Sequence, residues 1–190
     1  MRSLIFDLDG TLWRGPDWYA EVLADLGVGA ANKLRSRLAD GANVIALARQ
    51  AGIRRSHLVR ACRERASSLS LYQGVADAIM EIAKRRIPTG IVTSLAGDVA
   101  AVALEHYDLV DLFPATEFAA RNKATAIRSV LHRLGLSPGT QDFYIGDMPQ
   151  DAAAAARAGV SFAWASWGYS AEPPAPCGAH LTRFEEVLDL

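Results

Sequence analysis

The sequence predicts an α/β fold: a parallel sheet covered by helices on both faces, with a small all-helical segment inserted after the first strand. Three observations predict it. From Ala76 onward, short runs rich in strand formers alternate with stretches of helical period, the pattern of successive strand-helix-strand units. Between Trp13 and about Gly74 that rhythm stops, and apolar residues recur at helical spacing instead. Two apolar runs end directly in acidic residues, at Asp7 and Asp147.

The first strand is expected over Arg2 to Phe6, where a short apolar run meets Asp7-Leu8-Asp9-Gly10-Thr11. Polar residues and a glycine end it there. In the inserted segment, Tyr19, Val22, Leu23 and Leu26 share one helical face, and Leu58, Ala61 and Cys62 share another, with Ser56 as the N-cap of the last helix. The regular part then reads as a helix near Ala76 to Arg85, a strand from Pro88 to Thr93, a helix near Asp98 to His106 and a short strand from Phe113 to Thr116. Pro88 opens its strand, where a missing N–H is tolerated. A helix near Lys123 to Leu134, a strand from Asp142 to Ile145, a helix near Asp151 to Ala158 and a strand from Val160 to Ala165 follow. Pro173, Pro174 and Pro176 mark a loop before a short helix near Arg183 to Leu188.

The 190 residues are 51% hydrophobic and 22% charged, enough apolar material for one substantial core and too much for a disordered chain. Twenty basic residues against 21 acidic ones give a net charge of -1, so no global field attracts nucleic acid or an anionic membrane. Cys62 and Cys177 stand far apart in no metal-ligand spacing, as suits a reducing cytoplasm. The histidines His57, His106, His132 and His180 show no metal spacing either. Asp7 precedes any signal-like apolar core, and no run approaches the roughly 18 apolar residues of a membrane span. A soluble, unprocessed cytoplasmic protein is expected, as a monomer or homodimer.

The chemistry concentrates in the acids. A D-x-D-G-T string arises by chance in a chain of this length roughly a few times in a thousand. Taken alone, it also suits an ordinary turn after a strand. Gly146-Asp147-Met148-Pro149-Gln150-Asp151 likewise follows an apolar strand, and its two carboxylates four residues apart at a strand-to-helix junction suit one divalent cation. A helix start favours acids for its own sake, so it is the pairing with Asp7 that carries the reading.

Four segments resemble the four motifs of the haloacid dehalogenase-like (HAD) superfamily, in that family's order: Asp7-Leu8-Asp9-Gly10-Thr11-Leu12, Thr93-Ser94 after an apolar strand, Lys123, and Gly146-Asp147 with Asp151. The likeness is greatest to the phosphoglycolate-phosphatase-like branch, whose helical cap is inserted after the first strand. It implies a Rossmann-like three-layer core over residues 1–13 and 75–190 and a cap over 14–74. It further implies Asp7 as a nucleophile that becomes an aspartyl-phosphate, and Asp9 as general acid and then base. An acid at the position of Asp9 favours a phosphatase over a dehalogenase. Mg2+ is implied at Asp7, the backbone carbonyl of Asp9, Asp147 and Asp151. Thr93, Ser94 and Lys123 are implied as phosphate contacts, with Arg121, two residues earlier, as an alternative cation; Ala124 departs from the family pattern, which often has proline after this lysine.

Between Ala31 and Ala66 lie nine basic and two acidic residues. Such a run is either a set of solvated helix faces or a clamp for a second anionic group on the substrate, with Arg49, Arg60 and Arg63 as candidates. Trp13 and Trp167-Gly168-Tyr169 read either as packing residues or as edges of the pocket. The expected function is hydrolysis of a small phosphorylated metabolite. A nucleotide or polynucleotide phosphatase is the alternative enzyme, although no aromatic residues interleave with the basic ones to stack bases. A catalytically idle binding module on the same fold is the alternative class.

Overall fold

The computed structural model describes residues 2–190. The chain forms β1 (Leu4–Phe6), then four helices, α1 (Gly15–Asp25), α2 (Ala31–Ala39), α3 (Val44–Gln50) and α4 (Arg55–Glu64). It continues through α5 (Val75–Lys84), β2 (Thr89–Val92), α6 (Gly97–His106), β3 (Ala115–Glu117), α7 (Lys123–Arg133), β4 (Phe143–Gly146), α8 (Pro149–Ala158), β5 (Ser161–Ala165) and β6 (Ala179–Leu181). The strands form one parallel sheet in the order β3-β2-β1-β4-β5-β6. This is the α/β, Rossmann-like architecture that the alternation of strands and helices predicts.

Alternation along β1 explains how the layers form. Leu4 and Phe6 join the cluster containing Val75, Ile79 and Ile82 of α5, whereas Ile5 joins the cluster of Ile127 and Val130 of α7 with Ala152 and Ala155 of α8. All three side chains of β1 are fully buried, and burial of each contributes about 1.5–3 kcal/mol. A central strand with helices on both faces has no solvated side, so it reads as a continuous apolar run.

Strand order reverses at β1, with β2 on one side and β4 on the other. Crevices at such a reversal, beyond the carboxyl ends of the strands, are where open α/β sheets take their ligands. Asp7, Thr93 and Asp147 each follow the last residue of a strand at this edge.

The segment after β1 is helical, and its two connections to the sheet run side by side: Trp13 forms an antiparallel bridge with Leu71, and the Tyr72 amide donates to the Leu12 carbonyl at 2.9 Å. Tyr19, Val22 and Leu23 of α1 are buried with Leu58 and Cys62 of α4. On the far side, α4 meets α6, where Arg55 pairs with Asp98 through two hydrogen bonds of 2.6 and 2.7 Å and Arg63 pairs with Glu105 at 3.2 Å.

The structure differs from expectation at element ends. Helix α8 begins at Pro149, because proline suits the first helical turn. Arg54, not Ser56, is the N-cap of α4, and its side chain makes no capping hydrogen bond. A sixth strand, β6, forms beyond the proline-rich loop, and the last segment is a 3-10 helix over Phe184–Asp189. No helix among the described residues is long and apolar enough to cross a membrane.

Candidate active site

Asp7 continues the sheet ladder, its amide donating to the Ile145 carbonyl at 2.9 Å, so its carboxylate is delivered between β1 and β4. Asp147 follows β4 and is fully buried; the Tyr169 amide donates to its Oδ2 at 2.8 Å. Gly10 and Gly168 permit this placement. A Cβ on either would collide with the Asp147 carboxylate, and Gly10 also has a φ of +80°. Asp151 sits in the first turn of α8, where the Met148 amide donates to its Oδ2 at 3.1 Å.

Lys123 opens α7 and ties the carboxylates together. Its Nζ donates to Asp7 Oδ2 at 2.8 Å and to Asp151 Oδ1 at 2.7 Å. Burial works against its charge, but Asp151 and Asp7 outweigh that cost and hold its pKa well above the ordinary lysine value. Asp7 is shifted upward, chiefly by burial and against the pull of Lys123. Burial pushes Asp147 up to about 8 despite the Tyr169 amide.

Oxygen atoms of Asp7, Asp147 and Asp151 lie within 4.8 Å of one another. Asp7 Oδ1 and Asp147 Oδ1 are buried with no hydrogen-bond partner. Two orphaned carboxylate oxygens from different strands are costly unless something positive meets them. Hard anionic donors so arranged fit Mg2+, with Asp7 and Asp147 offering the free atoms. Both oxygens of Asp151 are already engaged, by Lys123 and by the Met148 amide.

Asp9 stands apart from that trio. Trp13 Nε1 donates to its Oδ1 at 2.9 Å. Burial foremost, then the charge of Asp7, pushes Asp9 up to about 7, where a carboxyl group can both give and take a proton near neutral pH. Ser94 and Lys123 line the same cavity of about 260 Å³ as Asp7, Asp9 and Asp147. Thr93, the residue before Ser94, is buried and does not itself line that cavity; its Oγ1 accepts from the Leu95 amide at 3.2 Å. Arg121 lines a neighbouring groove with Arg157, so Lys123 is the cation that reaches the carboxylates.

The structure does not bring Arg49, Arg60 or Arg63 to this cavity, a correction to the proposed clamp. Arg60 pairs with Glu64 of its own helix, Arg63 with Glu105, and Arg49 lines a separate surface depression with Ile45 and Ile53. An acidic partner on α6 draws Arg63 outward, and Arg60 is held along its own helix. Instead, the turn from Leu38 to Val44 and residues Pro16 and Tyr19 face the carboxylates.

Three further residues matter that sequence reasoning read only as packing or left open. Trp13 is fully buried and holds Asp9; Trp167 Nε1 donates to the Thr11 carbonyl at 3.0 Å and pins the loop after the nucleophile position. Tyr169 lines the cavity and holds Asp147 through its amide.

A parallel sheet with buried carboxylates gathered at its topological reversal defines an α/β protein with an acid-centred site. The chain belongs to the haloacid dehalogenase-like hydrolases: the model of that family matches residues 4–165. The curated proteins it resembles are named as phosphoglycolate phosphatases. It is 33% identical over 126 residues to a phosphoglycolate phosphatase of Rhodospirillum rubrum, a match covering 64% of this chain and 52% of that protein. The chain therefore spans about half the length of that relative. It is 23% identical over 191 residues to a phosphoglycolate phosphatase of Synechococcus elongatus, covering 90% and 86% of the two chains. In fold it is similar to a HAD phosphatase from Thermococcus onnurineus, with a TM-score of 0.75 at 17% identity over 100% of this chain and 97% of the other. It is also similar to a HAD-superfamily hydrolase from Geobacter sulfurreducens, with a TM-score of 0.71 at 20% identity over 100% and 95%.

Proposed function

We propose that the protein is a Mg2+-dependent phosphatase that hydrolyses a small organic phosphate monoester through an aspartyl-phosphate on Asp7. The observation that carries this reading is the pair of unpartnered oxygens, Asp7 Oδ1 and Asp147 Oδ1, beside the Lys123 ammonium. The two relatives named as phosphoglycolate phosphatases support the reaction class.

A carboxylate oxygen of Asp7 attacks phosphorus, and the bond from phosphorus to the ester oxygen breaks. Asp9 gives its proton to the departing alcohol. Water then attacks the phosphorus of the aspartyl-phosphate, Asp9 takes the water's proton, and inorganic phosphate leaves with Asp7 restored. Lys123 offsets charge on both the nucleophile and the phosphoryl oxygens, and Thr93 and Ser94 hold those oxygens by hydrogen bonds. Asp7, Asp147 and the Asp9 carbonyl would hold Mg2+, with Asp151 beside them in the same cluster, and the ion would supply positive charge that offsets the repulsion between carboxylate and phosphate dianion. The helical segment 14–74 acts as a cap that excludes water during transfer. Two free cysteines suit a cytoplasmic setting.

The test is phosphate release from para-nitrophenyl phosphate and a panel of metabolite esters with Mg2+. Asp7→Asn lowers turnover on the order of a thousandfold or more. Substantial metal-dependent turnover by that variant removes the covalent route. No release from any ester by the unaltered protein revives the idle binding module.

A further inference from the structure

We propose that the ester this site accepts carries an uncharged, hydroxyl-bearing alcohol as its leaving group, not a carboxylate or a second phosphate; this deepens the phosphatase reading and rests on it. Among the side chains lining the cavity of about 260 Å³, Lys123 is the one basic group. It is already held by Asp7 and Asp151. The wall contributed by the helical insertion consists of Pro16, Tyr19 and the turn from Leu38 through Ala39, Gly41, Ala42 and Asn43 to Val44. That wall carries no charge.

The insertion is rich in arginine, but none of its arginines lines this cavity. Arg35 pairs with Asp17 and Glu21, Arg55 with Asp98 and Arg65 with Asp25, all on the outer surface. A second anionic group entering with the phosphate would therefore find no cation of its own in this wall, Lys123 being already held by Asp7 and Asp151. An anion desolvated without a partner is selected against. A hydroxyl, by contrast, finds a partner. The Tyr19 hydroxyl, in this wall beside Asp9 and Trp13, is a group with which a hydroxyl of the leaving alcohol can share a hydrogen bond. Asn43 lines the cavity while its Oδ1 accepts from the Ala46 amide at 3.0 Å, leaving its NH2 group to donate.

The experiment compares kcat/KM for glycerol phosphate and phosphoglycolate in excess Mg2+, with para-nitrophenyl phosphate measured alongside. The expected result is a preference for glycerol phosphate on the order of a hundredfold. Ala42→Arg, or Ala39→Arg as a second variant in the same wall, lowers KM for phosphoglycolate and narrows that preference. Equal or greater kcat/KM for phosphoglycolate in the unaltered protein overturns the inference. If that efficiency falls in Arg121→Ala, the anion is received by the neighbouring groove that Arg121 lines, and the inference is overturned for that reason. Turnover of the aryl ester with phosphoglycolate preferred leaves the phosphatase reading standing. Failure of all three esters removes that reading and this inference together.

Discussion

At the scale of single residues, the site depends on hydrogen bonds that aromatic side chains and backbone amides provide. Trp13 is the clearest case. Its indole N–H fixes Asp9, and a hydrogen bond to a charged group is worth about 1.5–3 kcal/mol. Trp13→Phe keeps most of the ring and removes that donor, so kcat for aryl phosphate should fall roughly tenfold or more with KM little changed. An equal rise in KM would instead assign Trp13 to substrate binding. The four carboxylates were legible in the sequence because each follows or opens an element in a recognisable string. Trp13, Tyr19 and Tyr169 were not. An indole donor, a phenol on an otherwise apolar helix face and a backbone amide leave the same pattern in sequence as packing residues do. The basic run was legible as charge only, because a sequence does not say that Glu105 and Asp98 stand close enough to claim Arg63 and Arg55.

At the scale of elements, α4 and α6 are joined by the Arg55 and Arg63 pairs, both partly exposed. Such pairs contribute about 0.2–1 kcal/mol each and are screened by salt. Replacing Arg55 by alanine should lower the thermal midpoint at neutral pH by at most about 4 °C, less in high salt. Hydrogen bonding to Arg55 holds Asp98 below the ordinary carboxylate range. Its contribution is therefore complete above the unfolded value near 4 and is lost as pH falls through the lower folded value. Thermal midpoints of the unaltered protein and Arg55→Ala should converge as pH drops below about 4; a constant gap would mean that the contact is not electrostatic. The β1, β2, β4 and β5 assignments came from apolar runs long enough to read. Strand β6 has three residues, Ala179–Leu181, one of them an exposed histidine, and it exists because β5 offers an edge to pair with. Pairing of that kind is tertiary and leaves no local signal.

At the scale of the whole molecule, a net charge of -1 conceals a division between a basic insertion and an acidic core. In the folded chain that division serves cohesion at the surface and charge concentration at the sheet edge. The buried acids cost stability until a cation meets them. Mg2+ should raise the thermal midpoint saturably, as any ligand of the native state does. Asp147→Asn should raise the midpoint of the metal-free protein by a few degrees and abolish the Mg2+ response. A calorimetric scan with and without Mg2+ checks both, and an undiminished Mg2+ response in the variant would place the cation elsewhere. The paired connections at Trp13 and Leu71 carry a last consequence. Because entry and exit strands are stitched together by the Tyr72 to Leu12 hydrogen bond, they act as a single post. The Arg55–Asp98 and Arg63–Glu105 pairs form a second fastening, so the helical insertion is latched to the sheet layer on two sides, with the turn from Leu38 to Val44 held over the carboxylates between them.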